Sequence, residues 1–293
     1  AAKEPTPEPQ PTESQQEQQQ APQKEEKPGG LIGLGSSLGI FDEKTSDVLQ
    51  KGVGTLKAFQ PIGYEEERAI GGSLAVQVFN RFGGMYPNTD LHLYVNLVGQ
   101  AVAQVSDRPD IPYHFAVVNS EHPNAFAAPG GYVFVSVGLL RLLENEAQLA
   151  GVLGHEIAHI TQKHALQTLQ RSKILKGVGN LTTALMDKNP AMFDQIIDQV
   201  SEVLFTRGLD KELEFEADKL GTEFAYRIGY FPGGLKNFLQ ILGKARGRES
   251  IFFSTHPSPG DRLRRLTQLM PRYQEASLFP VLKMRFRSIT KGL

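Results

Sequence analysis

The chain of 293 residues carries 31 Lys and Arg against 32 Asp and Glu, with 40% hydrophobic residues and no cysteine. A chain of this size and composition can bury a full core, and the absence of cysteine excludes disulfides, thiol catalysis and thiolate metal ligands. A formal net charge of −1 without a basic block argues against nucleic acid as a partner.

Residues 1–30 differ in composition from everything that follows. They contain no Val, Ile, Leu, Met or aromatic residue and are dominated by Pro, Gln and Glu, so we predict a disordered tether. Residues 31–60 are predicted to contain a glycine-rich apolar segment at Leu31–Phe41, which is too short to span a bilayer, and a helix at Ser46–Phe59. The start at Ala1 is consistent with a removed secretory signal and an exported, periplasmic protein, and the tether is compatible with peripheral or lipid-anchored attachment to a membrane.

Helices and a small sheet are predicted in the next part of the chain. Helical patterns at Tyr64–Phe82 and Thr89–Val105 precede two short runs rich in β-branched and aromatic residues, Tyr113–Asn119 and Tyr132–Ser136. Turn signals with Pro and Gly separate these runs, so we predict a small antiparallel sheet. Helices follow from Glu146 nearly to the end of the chain, which makes the predicted fold class α+β, mostly helical.

The predicted helix Asn145–Lys163 contains the motif His155-Glu156-Ile157-Ala158-His159. Asn145 is suited to cap its start, and the segment has apolar residues at helical spacing and no proline. Both imidazoles lie on the same face and can reach one metal ion, while Glu156 points toward the remaining position. Glu156 also falls within the apolar stripe, where an unpaired carboxylate is costly. This arrangement indicates a zinc peptidase, and two structural histidines beside a solvated glutamate are the alternative.

A catalytic zinc ion needs a third protein ligand and leaves its fourth position open. In the metzincin arrangement a histidine lies six residues after His159, but Ala165 stands there, which excludes that class. His164 is close in sequence, yet on a continued helix it would be displaced around the axis from the two ligands. We therefore predict a supporting or structural role for His164, and a third ligand from a later helix.

The predicted helix Asp210–Ile228 offers that ligand. Glu214 and Asp218 form an i, i+4 pair on one shoulder of its apolar stripe, and Gly221 on the same side would allow close helix approach. Glu214 is the best candidate ligand, and Asp218 could accept the free ring N–H of a ligand histidine; an exposed acidic edge is the alternative. A solvated charged face is the simplest interpretation of the opposite shoulder, which holds Glu212, Glu216 and Glu223.

Taken together, these motifs resemble the gluzincin zinc metallopeptidase family that contains HtpX, BepA and the CAAX prenyl proteases. Besides the two helices, Asn124–Val135 resembles the family's active-site strand region, and Ser254–Pro257 with Arg262 resembles its downstream His-Pro and Arg element. The soluble, periplasmic BepA-like branch is the most similar, because the hydrophobic spans of the other branches are missing. The resemblance implies a zincin-type metallopeptidase domain at 61–275 and a C-terminal extension at 276–293.

The resemblance also implies roles for the residues of the two helices. One zinc ion per chain would be held by His155, His159 and Glu214, with Glu156 as general base. Asp218 would support a ligand histidine.

Further roles follow from the same resemblance. Asn124, Ala125, Phe126 and Ala127 would form an edge strand that binds an extended substrate by main-chain hydrogen bonds, although a structural hairpin would explain the same residues. His256 would lie over the zinc and either stabilise the oxyanion or block the open position. Arg262 would add a positive charge there. A capped turn at His256 and a solvated helix charge at Arg262 are the alternatives.

The function predicted from the sequence is zinc-dependent endopeptidase action on extended or misfolded proteins, in quality control of envelope proteins. The second hypothesis is a chaperone or scaffold for envelope protein assembly with a latent peptidase site. A third is a structural zinc protein with a closed four-ligand site. The intact Glu156 argues against an inactive site, because scaffolding needs no general base. The expected partners are protein or peptide substrates.

Overall fold

In a computed structural model of the chain, the residues described are 62–171, 190–244, 256 and 259–293. They belong to one compact unit. The predicted tether at 1–30 and the segment at 31–60 with its helix lie outside the described residues. Of the motif at 254–257, only His256 lies within them.

The described part begins with helices α1 (Tyr64–Arg81) and α2 (Thr89–Ala103), followed by strands β1 (His114–Val118), β2 (Ala125–Ala128) and β3 (Tyr132–Ser136). Helices make up the remainder of the described elements: α3 (Val137–Leu140), α4 (Glu146–Thr161), α5 (His164–Arg171), α6 (Pro190–Glu202), α7 (Lys211–Arg227), α8 (Gly234–Lys244), α9 (Pro259–Leu269) and α10 (Lys283–Ile289). A π-helical turn, Val203–Arg207, continues α6, and a 3-10 segment, Met270–Leu278, follows α9. The fold is mostly helical α+β, which confirms the prediction.

Helix α4 begins where its sequence predicts and ends two residues earlier. The Asn145 side chain accepts a hydrogen bond from the Gln148 N–H at 3.0 Å, as expected of an N-cap. At the other end Lys163 adopts a positive φ of 56°, which a helix cannot continue through. His164 therefore starts a new helix, α5, and the prediction that places it on the same helix as His159 is wrong.

The sheet is mixed, so the prediction of an antiparallel sheet is correct for only one pair of strands. Its strand order is β1-β3-β2. A tight turn at Gly130 and Gly131, both with positive φ, joins the antiparallel pair β2 and β3, whereas β1 runs parallel to β3. The chain reverses twice between β1 and β3, so these two strands point the same way. Within the described residues, the outer edge of β2 has no strand partner.

Each face of the sheet has its own hydrophobic core, because successive side chains in a strand point to opposite faces. Ala125 and Val133 contribute to the larger core, which includes residues of α2, α4, α7 and α8. Phe126 and Phe134 contribute to the second core, with residues of α1, α5 and α6. All residues of α4 are buried, so the helix that carries the two motif histidines is shielded from solvent along its whole length.

The last helix packs against the start of α4. Phe286 is part of the larger core, and Arg285 donates to the fully buried carboxylate of Glu146, with Nε at 2.6 Å. The hydroxyls of Tyr94 and Tyr230 donate to the same carboxylate. Burial alone would raise the pKa of Glu146, but the hydrogen bonds from Arg285 and the two tyrosines lower it. Along the described ranges, no helix combines the length and apolar character that crossing a bilayer requires.

Candidate metal centre

Helices α4 and α7 meet at a pair of glycines. A Cβ atom at Gly221 would lie 2.5 Å from the backbone nitrogen of His155, and a Cβ atom at Gly154 would lie 2.8 Å from the carbonyl oxygen of Gly221. Carbon atoms in ordinary contact lie about 3.5–4.0 Å apart, so neither position admits a larger side chain unless the helices separate. The close approach places Glu214 and Asp218 of α7 against the histidines of α4.

Four buried side chains direct their ligand atoms at one point: His155, His159, Glu214 and His256, with all four atoms within 4.8 Å of one another. The Nε2 atoms of His155 and His159 are 3.0 Å apart, and each lies 3.5 Å from an oxygen of Glu214. Nδ1 of His256 is 2.9 Å from Glu214 Oε2. Two ligand atoms about 2.1 Å from one tetrahedral cation lie roughly 3.4 Å apart. The observed separations therefore suit the ligands of a single ion.

The buried charges also favour a cation. Glu156, Glu214 and Asp218 are no more than 3% exposed, and Arg262 is 1% exposed. With neutral histidines, the two carboxylates whose pKa values are lowered, Glu214 and Asp218, exceed the one guanidinium by one negative charge. Buried charge requires a counter-charge, and Glu214 Oε1 accepts no hydrogen bond from the residues described. A divalent cation bound to Glu214 would supply both the charge and the missing partner.

The pKa values of the ligand groups reflect this surplus of negative charge. Burial and Arg262 lower the pKa of His155, but hydrogen bonds to Asp218 and Glu214 outweigh them and raise it to about 9. Burial opposes ionisation of Glu214, yet His256 and His155 hold its pKa well below the usual value. Burial and His155 lower the pKa of His159. Glu214 thus stays anionic, and a cation bound at this point would displace the proton that the two carboxylates otherwise hold on His155.

Asp218 and Arg262 lie behind the metal-binding atoms. Asp218 Oδ1 is 3.0 Å from His155 Nδ1, which leaves Nε2 of the ring facing the cluster. Arg262 donates to both oxygens of Asp218, from Nε at 2.9 Å and from Nη2 at 2.6 Å. Its Nη1 is 3.6 Å from Glu214 Oε2. Nη1 has no hydrogen-bond partner among the described residues. Arg262 thus contacts Asp218 and Glu214, and its oxyanion role stays a prediction.

An apolar cleft borders the cluster, and Glu156, His159, Glu214 and His256 line it. Its apolar walls come from β2 and the following turn, from α4 and α5, and from the segment after α6: Phe126, Ala127, Ala128, Pro129, Ile160, Ala165, Leu166, Val203, Leu204 and Leu209. Burial raises the pKa of Glu156, although His155 and His256 lower it. A carboxylate with a raised pKa, next to metal-binding atoms in a cleft, is suited to accept and return a proton.

The unpaired edge of β2 borders the same cleft. Ser136 N donates to the Asn124 carbonyl, and Phe126 pairs with Phe134. Because hydrogen-bonded and non-hydrogen-bonded residues alternate in an antiparallel pair, the N–H and C=O groups of Ala125 and Ala127 point away from β3. The Ala125 carbonyl oxygen is 3.4 Å from Nε2 of His256, which places the His256 ring between the cluster and this edge.

Asn124 stands at the start of this edge with an unused acceptor. It is 2% exposed, and its Oδ1 accepts no hydrogen bond from any described residue. A buried acceptor without a partner is costly.

His164 contacts His159 from outside the cluster, and Glu216 contacts His164, an arrangement that the sequence does not indicate. Nδ1 of His164 is 2.8 Å from Nδ1 of His159, and Nε2 of His164 is 3.4 Å from Glu216 Oε2. The prediction placed Glu216 on a solvated face, and its side chain is 48% exposed. The prediction did not foresee that His164, at the start of α5, lies against this face of α7. A histidine five residues beyond His159 was a hint, but the left-handed residue that redirects it is a lysine, which carries no such signal.

A model of peptidase family M48 matches residues 91–270, more than half of the chain. The chain belongs to this family. The match spans α4, α7 and α9, so the elements that build the metal centre lie within the peptidase domain of the family. This confirms the resemblance drawn from the sequence motifs.

Similar proteins include proteases from bacteria and mitochondria. The chain is 32% identical over 197 residues to the beta-barrel assembly-enhancing protease of Escherichia coli (strain K12), which covers 63% of this chain and 40% of that protein. It is 27% identical over 230 residues to the mitochondrial metalloendopeptidase OMA1 of Schizosaccharomyces pombe, covering 74% of this chain and 65% of that one. Over 174 residues it is 34% identical to the mitochondrial metalloendopeptidase OMA1 of Bos taurus, covering 56% and 33%. The chain thus spans less than two thirds of the length of each of these relatives.

Proposed function

We propose that this chain is a zinc-dependent endopeptidase that hydrolyses extended segments of unfolded or misfolded proteins. The observation that carries this proposal is the convergence of His155, His159 and Glu214 on one point at an apolar cleft, with Glu156 in the same cleft. Membership of a peptidase family supports the reaction class, as do the names of the relatives, which are called proteases or metalloendopeptidases.

Zinc suits these donors better than the other common divalent cations do. Two imidazole nitrogens and one carboxylate oxygen are a frequent ligand set of catalytic zinc, whereas magnesium and calcium favour oxygen ligands. We expect one ion per chain, held by His155, His159 and Glu214. When bound, zinc lowers the pKa of a coordinated water and polarises a carbonyl group.

The protein's own groups account for the proton transfers. Glu156 takes a proton from the attacking water and passes it to the leaving amine, a role that suits a buried carboxylate whose pKa is raised. Asp218 holds the His155 ring in place, and Arg262 holds Asp218.

Substrate binding is assigned to β2 and the cleft. The N–H groups of Ala125 and Ala127 and the C=O group of Ala127 would pair with an extended peptide as an added strand, which recognises main chain rather than particular side chains. The Ala125 carbonyl faces His256 Nε2 at 3.4 Å. Asn124 Oδ1, buried and without a partner, supplies a further acceptor beside this strand. The apolar walls favour apolar side chains, which folded proteins bury and unfolded ones expose. Unfolded segments are therefore the expected substrates.

His256 either assists the reaction or blocks the site, and its position in the structure is compatible with both roles. Its Nδ1 lies among the ligand atoms, and its Nε2 faces the Ala125 carbonyl. We expect a His256→Ala variant to distinguish the two roles when cleavage of an unstructured protein is measured. Activity rises if the ring is a plug, and it falls by about 10²–10³-fold if the ring stabilises the oxyanion.

Metal content and a Glu156→Gln variant test the proposed activity. The purified wild-type protein should contain about one zinc per chain and cleave an unfolded protein. Glu156→Gln should keep its zinc and lose cleavage by about 10²–10⁴-fold, because the general base is gone. The matched control is Glu144→Gln, which alters an exposed glutamate just before the same helix and should cleave normally. A folded wild-type protein that binds no zinc would contradict the proposal.

A second function, binding of proteins during assembly with the peptidase latent, is favoured by the position of His256 in the site. The name of the Escherichia coli relative also refers to assembly. Glu156→Gln separates the two functions in cells. A cellular function that persists in this variant depends on binding and not on peptide hydrolysis.

We also propose an exported location, with envelope proteins as substrates. The relative in Escherichia coli is named for assembly of β-barrels, which suits this location, whereas the OMA1 relatives are named as mitochondrial. Fractionation of cells that express the whole natural gene product tests the location, and recovery only from the cytosol would contradict it.

A further inference from the structure

We propose that His164 and Glu216 are a positioning pair for the metal centre: together they set the tautomer of His159, so that its Nε2 presents a lone pair to the ion. The inference rests on the proposed function, since it takes His159 as a ligand. Neither residue touches the ligand-binding point, so the pair acts only through His159.

The first step is the orientation of His159. Its Nε2 faces the cluster, 3.0 Å from His155 Nε2 and 3.5 Å from Glu214 Oε1. A ring nitrogen binds a cation through its lone pair, and a neutral imidazole carries one proton. The proton of a metal-bound His159 therefore lies on Nδ1.

The second step follows from the contact between the two rings. Nδ1 of His159 and Nδ1 of His164 are 2.8 Å apart, a hydrogen-bond distance at which only one of the two nitrogens can donate. Since His159 must donate, His164 must accept. The proton of a neutral His164 then lies on its other nitrogen, Nε2.

The third step is the carboxylate that fixes His164. Nε2 of His164 lies 3.4 Å from Glu216 Oε2, and an ionised carboxylate can only accept. The donor and the acceptor of each hydrogen bond from Glu216 through His164 to His159 are therefore fixed. The path ends with the lone pair of His159 Nε2 facing the cluster. A ligand histidine commonly donates its other N–H to a carboxylate or carbonyl; here an imidazole stands between.

The backbone turn after α4 holds His164 where this path needs it. Lys163 has a positive φ of 56°, and its Nζ donates to the Ile62 carbonyl at 2.9 Å and pairs with Glu67. His164 follows directly and is fully buried. The cost of a left-handed lysine is offset by contacts of its own side chain, so the turn that presents His164 is anchored independently of any metal.

Zinc affinity of purified full-length variants, measured by competition with a chromophoric chelator, tests the pair. His164→Leu removes the acceptor for His159, and we expect its zinc dissociation constant to rise by about 10–100-fold. His164→Asn places an amide oxygen near the position of Nδ1 and should restore most of the affinity. Glu216→Ala should weaken binding less than His164→Leu. Glu212→Ala, which removes an exposed charge one turn earlier on the same helix, should bind zinc like the wild type.

A second readout separates tautomer control from packing. Nitrogen-15 NMR of labelled histidines in the metal-free protein should show His159 protonated on Nδ1 in the wild type. It should show a mixture of tautomers in both His164→Leu and Glu216→Ala. If His164→Leu does not fold, the half-exposed Glu216→Ala variant still gives this measurement.

Two results would overturn the inference. Wild-type zinc affinity in His164→Leu would show that the ring is not needed, and an unchanged His159 tautomer in Glu216→Ala would show that the carboxylate does not set it. These outcomes differ from failure of the proposed function, in which the wild-type protein itself binds no zinc.

Discussion

The back and the front of the metal centre are built in opposite ways. At the back, Asp218 and Arg262 form a buried ion pair with two short hydrogen bonds. At the front lie an apolar cleft, an unpaired strand edge and Asn124 Oδ1, a buried acceptor without a partner in the described chain. The back is an ion pair formed within the protein, whereas the front presents apolar walls and main-chain groups at a cleft. Variants at the back should therefore affect stability and metal binding, whereas variants at the front should affect only substrate.

Among variants of the back and the front, removal of Arg262 should lower the free energy of unfolding the most. Arg262→Leu leaves Asp218 and Glu214 buried without their cation, and breaking a buried ion pair costs about 3–5 kcal/mol. Urea unfolding of the purified protein measures the loss. The control is Arg264→Leu, on the same helix but with a side chain that is 67% exposed, and it should change stability by less than about 0.5 kcal/mol. Equal stability of Arg262→Leu and wild type would show that the back is not held by charge.

A smaller change at the back should affect the metal more than the fold. Asp218→Asn keeps the shape of the side chain but removes the charge that holds the His155 ring and pairs with Arg262. We expect zinc binding to weaken by about 10–100-fold, measured by competition with a chelator. If zinc binding is unchanged while cleavage is lost, Asp218 takes part in the reaction and not in metal binding.

The smallest effect is expected at the front, in Asn124→Ala. Its Oδ1 has no partner among the described residues, so its removal should not lower the free energy of unfolding. One hydrogen bond to the substrate would be lost, worth about 0.5–1.5 kcal/mol, and KM for an unstructured protein should rise severalfold with zinc content unchanged. A clear loss of stability would instead assign Asn124 to the structure of the strand.

The parts of the site that the sequence predicted are those set by local pattern. The apolar repeat and the cap at Asn145 gave the bounds and the buried face of α4, and the same reasoning placed Glu214 and Asp218 on one shoulder of α7. The glycine at 221 predicted close helix approach, and the structure shows contact of its backbone with His155. Helical periodicity predicts these parts because both helices are long and carry a regular apolar stripe.

What the sequence did not predict depends on contacts between distant elements. The position of Arg262 behind Asp218 requires knowing how α9 lies against α7, which no period within α9 records. The parallel pairing of β1 with β3 depends on strand order, and short strands of similar composition can be ordered in several ways. The contact of Glu216 with His164 depends on a left-handed lysine, a conformation that residue type does not signal.

The contact between Gly154 and Gly221 sets the distance between helices α4 and α7 at the candidate metal centre. Because main chain touches main chain there, the spacing between the ligands of α4 and the ligand of α7 is independent of any rotamer in the core. The contact limits how closely α4 and α7 can approach, and a larger side chain at either glycine would move the helices apart. The distance between the backbones that carry His155 and Glu214 is therefore set by main chain, whichever side chains fill the rest of the core.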